Sequence, residues 1–305
     1  MSAKSKANAY PNGGELFRAI RHRRRLTIKQ VHGVLHKTAV SHFENNGSDI
    51  RVTNLITILK PTFTEPQEFF ELLDQTNNRL RSLSIQINEA YQNMDADQLE
   101  NLWLRFANAS KEDPPQYLIK LVIENFLKDI RREKKPFSVE AEDFIQDYLL
   151  ASGPWFFFEY YVYANLCYSL SKKANDRLVR HMLKEYSHFH LESYSELFFT
   201  AFYNLSTMYL QHGDYQAALA MIHLVDVDQL KANVLYMRHH IIFIELATSL
   251  LTQQDVPQTQ EKLRLLLKTT KMVDPALYDL NIEWLISLNI DPNTLTVTPE
   301  STAAQ

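Results

Sequence analysis

Apolar side chains recur at the spacing of a helix along nearly the whole of this chain, and that restricts its fold more than any single motif. Leu80, Leu83, Ile87, Ala90 and Tyr91 fall on one stripe, as do Leu118, Leu121, Val122, Phe126 and Ile130. That is the periodicity of a helix with one buried face. Runs of alternating β-branched residues are absent, and glycine occurs only 6 times in 305 residues. Breakers arrive at intervals suited to antiparallel helix pairs: Asp113-Pro114-Pro115, Lys135-Pro136, Gly153-Pro154, Gly213-Asp214, Val256-Pro257 and Asp274-Pro275. The chain is expected to be all-α.

Charge is distributed unevenly along it. Residues 1–60 hold 11 Lys+Arg against 3 Asp+Glu, while the remainder holds 21 against 33. A basic head on an acidic body points to a polyanion partner for the head alone. Within the head, Leu16, Phe17 and Ile20 give a first helix its apolar stripe, ringed by Arg18, Arg21, Arg23, Arg24 and Arg25. Thr27 followed by Gln30 has the spacing of a capping box opening a second helix. A turn through Val34 and Leu35 then leads to a third helix over about His36 to Asn45. Val40 and Phe43 would face inward there, leaving Lys37, Thr38, Ala39, Ser41 and His42 outward. In a helix-turn-helix the start of this helix meets base edges in the major groove. These outward residues, with Arg21, Arg23, Arg24, Arg25 and Lys29, are the candidate contacts to double-stranded promoter DNA.

The body carries one segment with the texture of a tetratricopeptide repeat, Leu205 to Leu219. Tyr209 lies near the end of one helix, Gly213-Asp214-Tyr215 makes the turn, and Ala217 and Ala218 allow the next helix to approach. Such helix pairs stack into a surface suited to extended peptides; an irregular helical bundle is the alternative. The segment Trp155 to Leu170 is apolar almost all round and should be an inner helix. Glu159 and Asn165 are its polar members, and a buried carboxylate or amide must find partners.

Several functions are disfavoured. Cys167 is the only cysteine, which rules out an internal disulfide and a cysteine-based zinc site. His188 and His190, like His239 and His240, alternate or adjoin on helices and point apart, so no metal is expected. No Gly-rich phosphate loop, nucleophile elbow or paired-acid motif occurs, so neither an enzyme nor a cofactor is expected. No apolar run reaches the ~18–20 residues of a membrane span, and the polar start has no apolar signal segment. A cytoplasmic protein is expected.

The residues Ser41-His42-Phe43-Glu44, then Ser48-Asp49-Ile50, Leu55, Ile58, Leu59, Glu68 and Phe69, resemble the N-terminal domain of the Rgg/MutR/GadR family. Those are peptide-responsive transcription regulators of Gram-positive bacteria, within the RRNPP group. In the body, Trp155, Glu159, Tyr163 and Asn165, the segment "FYNLSTMYLQHGDYQAALAMI", and a helix from Asn233 to Phe243 follow in family order. The resemblance covers roughly residues 14 to 290. It implies a helix-turn-helix domain followed by a TPR-like right-handed helical-repeat domain. It also implies a homodimer and a short, hydrophobic peptide pheromone as ligand. Divided accordingly, 1–13 is a tail, 14–73 the head with the start of a linker, 74–298 the sensing and dimerisation domain, and 299–305 a frayed end.

On that reading Asn165 and Asn204 would clamp the peptide backbone, since an amide donates and accepts at once. Phe158, Tyr161 and Tyr168 would form apolar pockets, and Arg79, Arg81 or Arg238 would meet a ligand carboxylate. The third helix departs from the family, which commonly has Ser-Arg-Phe-Glu-Arg-Gly where Ser41 to Asn46 stand, Gln at the position of Ala39 and a capping Ser at that of His36. Ala39 makes no hydrogen bond to a base edge and His42 makes one at most. Two other readings stay open: an interaction module with a vestigial head, and a ligand-independent regulator with a closed core.

Overall fold

The computed structural model describes residues 12–73, 79–133, 136–151, 153–188, 192–224 and 235–295. Every regular element among them is helical, and the chain divides into two compact units, Met1–Glu89 and Ala90–Gln305. The division falls later than residue 73, because helix α6 belongs largely to the first unit.

Five short helices build the first unit up to Leu73: α1 (Gly13–Arg23), α2 (Ile28–Val31), α3 (Lys37–Asn46), α4 (Val52–Leu59) and α5 (Pro66–Leu73). Their inward faces supply one core of Leu16, Phe17, Val31, Val40, Phe43, Leu55, Ile58, Leu59 and Phe69. Each such large side chain, fully withdrawn from water, contributes about 1.5–3 kcal/mol. Local chemistry sets the helix ends. The Asn12 side chain accepts from Glu15 N–H to start α1. At α2, the Gln30 carboxamide oxygen accepts from both the backbone N–H and the hydroxyl of Thr27, at 2.9 and 2.8 Å. The reach-back half of the expected capping box therefore forms, while the threonine hydroxyl turns to Gln30 itself. Gly47, at φ 61°, closes α3 in the left-handed region. Gly14 is where α1 crosses α3: a Cβ there would lie 2.7 Å from the Phe43 carbonyl carbon and closer still to its oxygen.

Helix α6 (Arg79–Gln92) leads into the second unit, which continues with α7 (Ala96–Leu104), α8 (Pro114–Ile130), α9 (Val139–Leu149), α10 (Phe157–Leu166), α11 (Lys172–His188), α12 (Glu192–Gln211), α13 (Tyr215–Ile222), α14 (Leu235–Leu251), α15 (Val256–Val273) and α16 (Pro275–Ser287). Proline opens α8, α15 and α16, where no intrahelical N–H bond is lost. Aspartate caps α7, α8, α13 and α16. Chain neighbours pack as pairs, α7 on α8, α12 on α13 and α14 on α15, while α8, α10, α12 and α14 lie side by side as one layer. The expected repeat turn is present: Gly213 adopts φ 74°, Asp214 accepts from Ala217 N–H, and Ala218 is fully buried.

Two expectations need adjustment. The inner helix α10 is shorter than 155–170. It begins at Phe157 because Glu159 Oε2 accepts from the Phe156 N–H at 2.9 Å, and it tightens into a 3-10 turn at Cys167–Ser169. Glu159 Oε1 accepts from the Tyr148 hydroxyl at 3.1 Å, so this carboxylate fixes a helix start and ties α9 to α10. The helix expected from Asn233 is described from Leu235 onward, and Asn233 itself, His190, residues 1–11 and the end 299–305 lie outside the described residues; Asn12 and Gly13, expected in the first tail, cap and open α1.

Candidate functional site

In the head, the outward face of α3 collects residues able to meet a partner. Lys37, Thr38, Ala39 and His42 are exposed and Ser41 is half-buried, whereas Val40, Phe43 and Glu44 point into the core. His36 begins the helix without a side-chain bond to it. Arg23, Arg24, Arg25 and Lys29 stand exposed around the end of α1 and on α2. Beside α3 lies a recess of about 240 Å³ lined by Leu35, Ala39, Phe43 and Ile50, with Asp49, Arg51 and Asn54 also bordering it.

Arg21 has a different task from its neighbours. Its side chain is 9% exposed, and Nε and Nη2 each donate to one oxygen of Glu44, itself 1% exposed, at 2.6 Å. Nη1 donates to the Leu26 carbonyl at 2.7 Å. Held on three sides inside the unit, this guanidinium cannot serve a phosphate, and Arg21 leaves the set of DNA contacts. Sequence reasoning missed it because five arginines crowd between 18 and 25. The available signal was that Arg21 follows Phe17 by one turn, on the buried side of α1.

In the second unit, polar side chains stitch the layer α8–α10–α12 to main-chain carbonyls. Asn125 Nδ2 donates to the Asn165 carbonyl at 3.0 Å, and Ser169 Oγ donates to Asn125 Oδ1. Asn165 Nδ2 donates to the Tyr161 carbonyl at 2.7 Å, and Asn204 Nδ2 to the Ala164 carbonyl at 2.9 Å. Each of the two expected clamp amides thus gives one donor to α10 and keeps its Oδ1 acceptor. Asn125 was not anticipated, since its partner lies 40 residues away.

Next to these amides, Tyr168 is 39% exposed, yet surrounding protein strips enough water to push its phenol well above its usual pKa, with Tyr203 adding to the effect. Tyr203 lies nearby: burial, then Tyr236, pushes its phenol up to about 12, and its ring meets that of His240 at a tilt of 33° with centroids 4.2 Å apart. Tyr236 also meets His240, with ring centroids 4.1 Å apart and planes nearly perpendicular. Burial, then the neighbouring His239, lowers His240 to about 3, so the imidazole is neutral near pH 7. His239 Nε2 lies 2.7 Å from Thr270 Oγ1.

The remaining expected ligand contacts are scattered. Tyr161 is 1% exposed, and its ring lies flat against Phe157; it is core and cannot line a pocket. Phe158 is half-buried, with its ring nearly perpendicular to that of Tyr148 of α9. Arg238 is half-buried on α14. Arg79 and Arg81 belong to the first unit; Arg81 faces Glu71 at 3.6 Å, and the side chain of Arg79 lies outside the described residues.

Residues 92–276 match the family model described as the C-terminal domain of the HTH-type transcriptional regulator Rgg. The chain belongs to the Rgg family. Solved structures of similar fold accompany that match. The SHP pheromone receptor Rgg2 of Streptococcus dysgalactiae is 19% identical, with a TM-score of 0.72 over 89% of this chain and 98% of that one. A structure described as a transcriptional regulator of Listeria monocytogenes EGD-e is 20% identical, with a TM-score of 0.78 over 92% and 100%. PrgX in complex with cCF10 is 14% identical, with a TM-score of 0.67 over 91% and 92%. No curated protein sequence matches the chain. The Rgg-family model begins beyond the first unit, so the head stands on its own geometry. No described helix is long and apolar enough to cross a membrane.

Proposed function

We propose that this Rgg-family chain is a cytoplasmic, homodimeric regulator that binds promoter DNA through its head and a short hydrophobic peptide through its helical-repeat body. The observation that carries the DNA reading is the outward set on α3, Lys37, Thr38, Ala39, Ser41 and His42, beside the exposed cations Arg23, Arg24, Arg25 and Lys29. A helix presented this way reads base edges, and flanking cations hold the phosphates. The peptide reading is supported by the Asn165, Asn204, Tyr168 and Tyr203 face, which offers amide acceptors beside aromatic walls. Two relatives of similar fold are a pheromone receptor and a protein solved in complex with cCF10. A second copy would add the second half-site that a single helix-turn-helix lacks. The peptide acts by binding one regulatory state more tightly than the other, and nothing in this reading asks for catalysis.

The experiment is retention of fragmented host DNA on the purified chain at about physiological salt, followed by sequencing. A few discrete sites, lost on Lys37→Ala and His42→Ala, are expected, and their occupancy should change on adding short hydrophobic peptides from the host culture. Diffuse, salt-sensitive retention without discrete sites would overturn the regulator reading in favour of a protein-interaction module.

A further inference from the structure

The recess beside α3 has a composition that selects its occupant. Ala39 lies exposed on the first turn of the helix, where base edges are met. Its side chain is one methyl group, which neither donates nor accepts. Beside it Leu35, Phe43 and Ile50 supply an apolar part of the wall. Of the groups that base pairs present in the major groove, the thymine C5-methyl is the apolar one. We propose that this recess receives the 5-methyl edge of a thymine, making Ala39 and Ile50 the elements that select a T·A pair.

The rim supports a base rather than a phosphate as occupant. Asp49 borders the recess with a carboxylate, which repels a backbone phosphate but accepts from an exocyclic amino group on a base edge. Arg51 is exposed at the start of α4, where it can hold the phosphate outside the recess, and Asn54 brings a carboxamide alongside. A volume of about 240 Å³ admits the edge of a pyrimidine ring together with its methyl group. The proposal rests on the DNA-binding reading of the head, and the test separates the two.

Full-length protein is used to select sites from random duplexes at fixed salt, and deoxyuridine then replaces each thymidine of the selected site in turn. Uracil differs from thymine only by the methyl group. One position per half-site should lose about fourfold in affinity, the worth of one buried methyl-sized group. Ala39→Gln, at an exposed position, should abolish that sensitivity and shift the base preferred there towards adenine. If sites are selected but every uracil substitution is silent, the proposal is overturned and the DNA reading stands. Silent uracils with a salt slope that flattens on Arg51→Ala would overturn it in favour of a phosphate neighbour. If no sequence is selected, the DNA reading fails and the proposal with it.

Discussion

Arg21 on α1 and Glu44 on α3 form a two-pronged ion pair, with both hydrogen bonds at 2.6 Å and both side chains almost sealed from water. The pair sits where α3 must be held at a fixed angle to α1 if Lys37 to His42 are to present one face. Removing one member leaves a charge buried without its counterion, a loss of about 3–5 kcal/mol. Glu44→Ala should therefore unfold the head first. The three tryptophans, Trp103, Trp155 and Trp284, all lie in the second unit. In urea, far-UV ellipticity should gain an early transition while the tryptophan-fluorescence midpoint stays in place. The double substitution Arg21→Met with Glu44→Leu should recover much of the loss.

Gly14 yields a sharper prediction, because the obstacle is backbone. A methyl group there meets the Phe43 carbonyl, which cannot swing aside as a side chain would. Gly14→Ala should cost more than about 2 kcal/mol through forced separation of α1 and α3. Retention of DNA should fall across all sequences, as measured by binding to selected and scrambled duplexes alike.

Among the arginines, position decides the salt response. Arg23→Ala or Arg24→Ala should flatten the slope of log affinity against log salt by about 0.9 for each phosphate left without its cation. The Arg21→Met, Glu44→Leu pair should leave that slope unchanged, since its cation never reaches solvent. Titrations between about 50 and 200 mM salt separate the two cases.

Acid should weaken the body. The folded chain holds His240 near 3, against about 6.5 when it is free in water, mainly by burial among Tyr203 and Tyr236 and next by the adjacent His239. His239 is lowered by burial as well, with Asp274 opposing. Between these values the unfolded chain binds a proton that the folded chain refuses, so stability falls as pH drops below about 6.5 and continues to fall towards 3. At pH 5 the loss from His240 is about 2 kcal/mol. His240→Phe should lose most of the difference between denaturation midpoints at pH 7 and pH 5, followed by tryptophan fluorescence.

Much of this architecture is legible in the sequence. The periods around Leu16–Phe17, Val40–Phe43 and Leu55–Leu59, and the breakers at Gly213-Asp214 and Asp274-Pro275, place helices within a residue or two of where they fold. The outward residues of α3 follow from the same period once Val40 and Phe43 are assigned to the core. What the period cannot show is which polar residue on a buried face finds a partner far along the chain. Arg21 meets Glu44, Asn125 meets the carbonyl of Asn165, and Tyr203 meets His240 only after the helices have packed. Tyr161 illustrates the converse: it shares a face with Asn165 in sequence, yet the layer closes over its ring.

The asparagine bonds to main-chain carbonyls constrain how this layer can move. Asn125 grips α10 at Asn165, and Asn204 grips it at Ala164. A carbonyl oxygen is a point target, so each of these bonds marks one axial register of α8 and α12 against α10, and sliding by a turn would cost about 1 kcal/mol for each bond broken. Between α12 and α14, Tyr203 meets His240 with the two rings tilted by 33°.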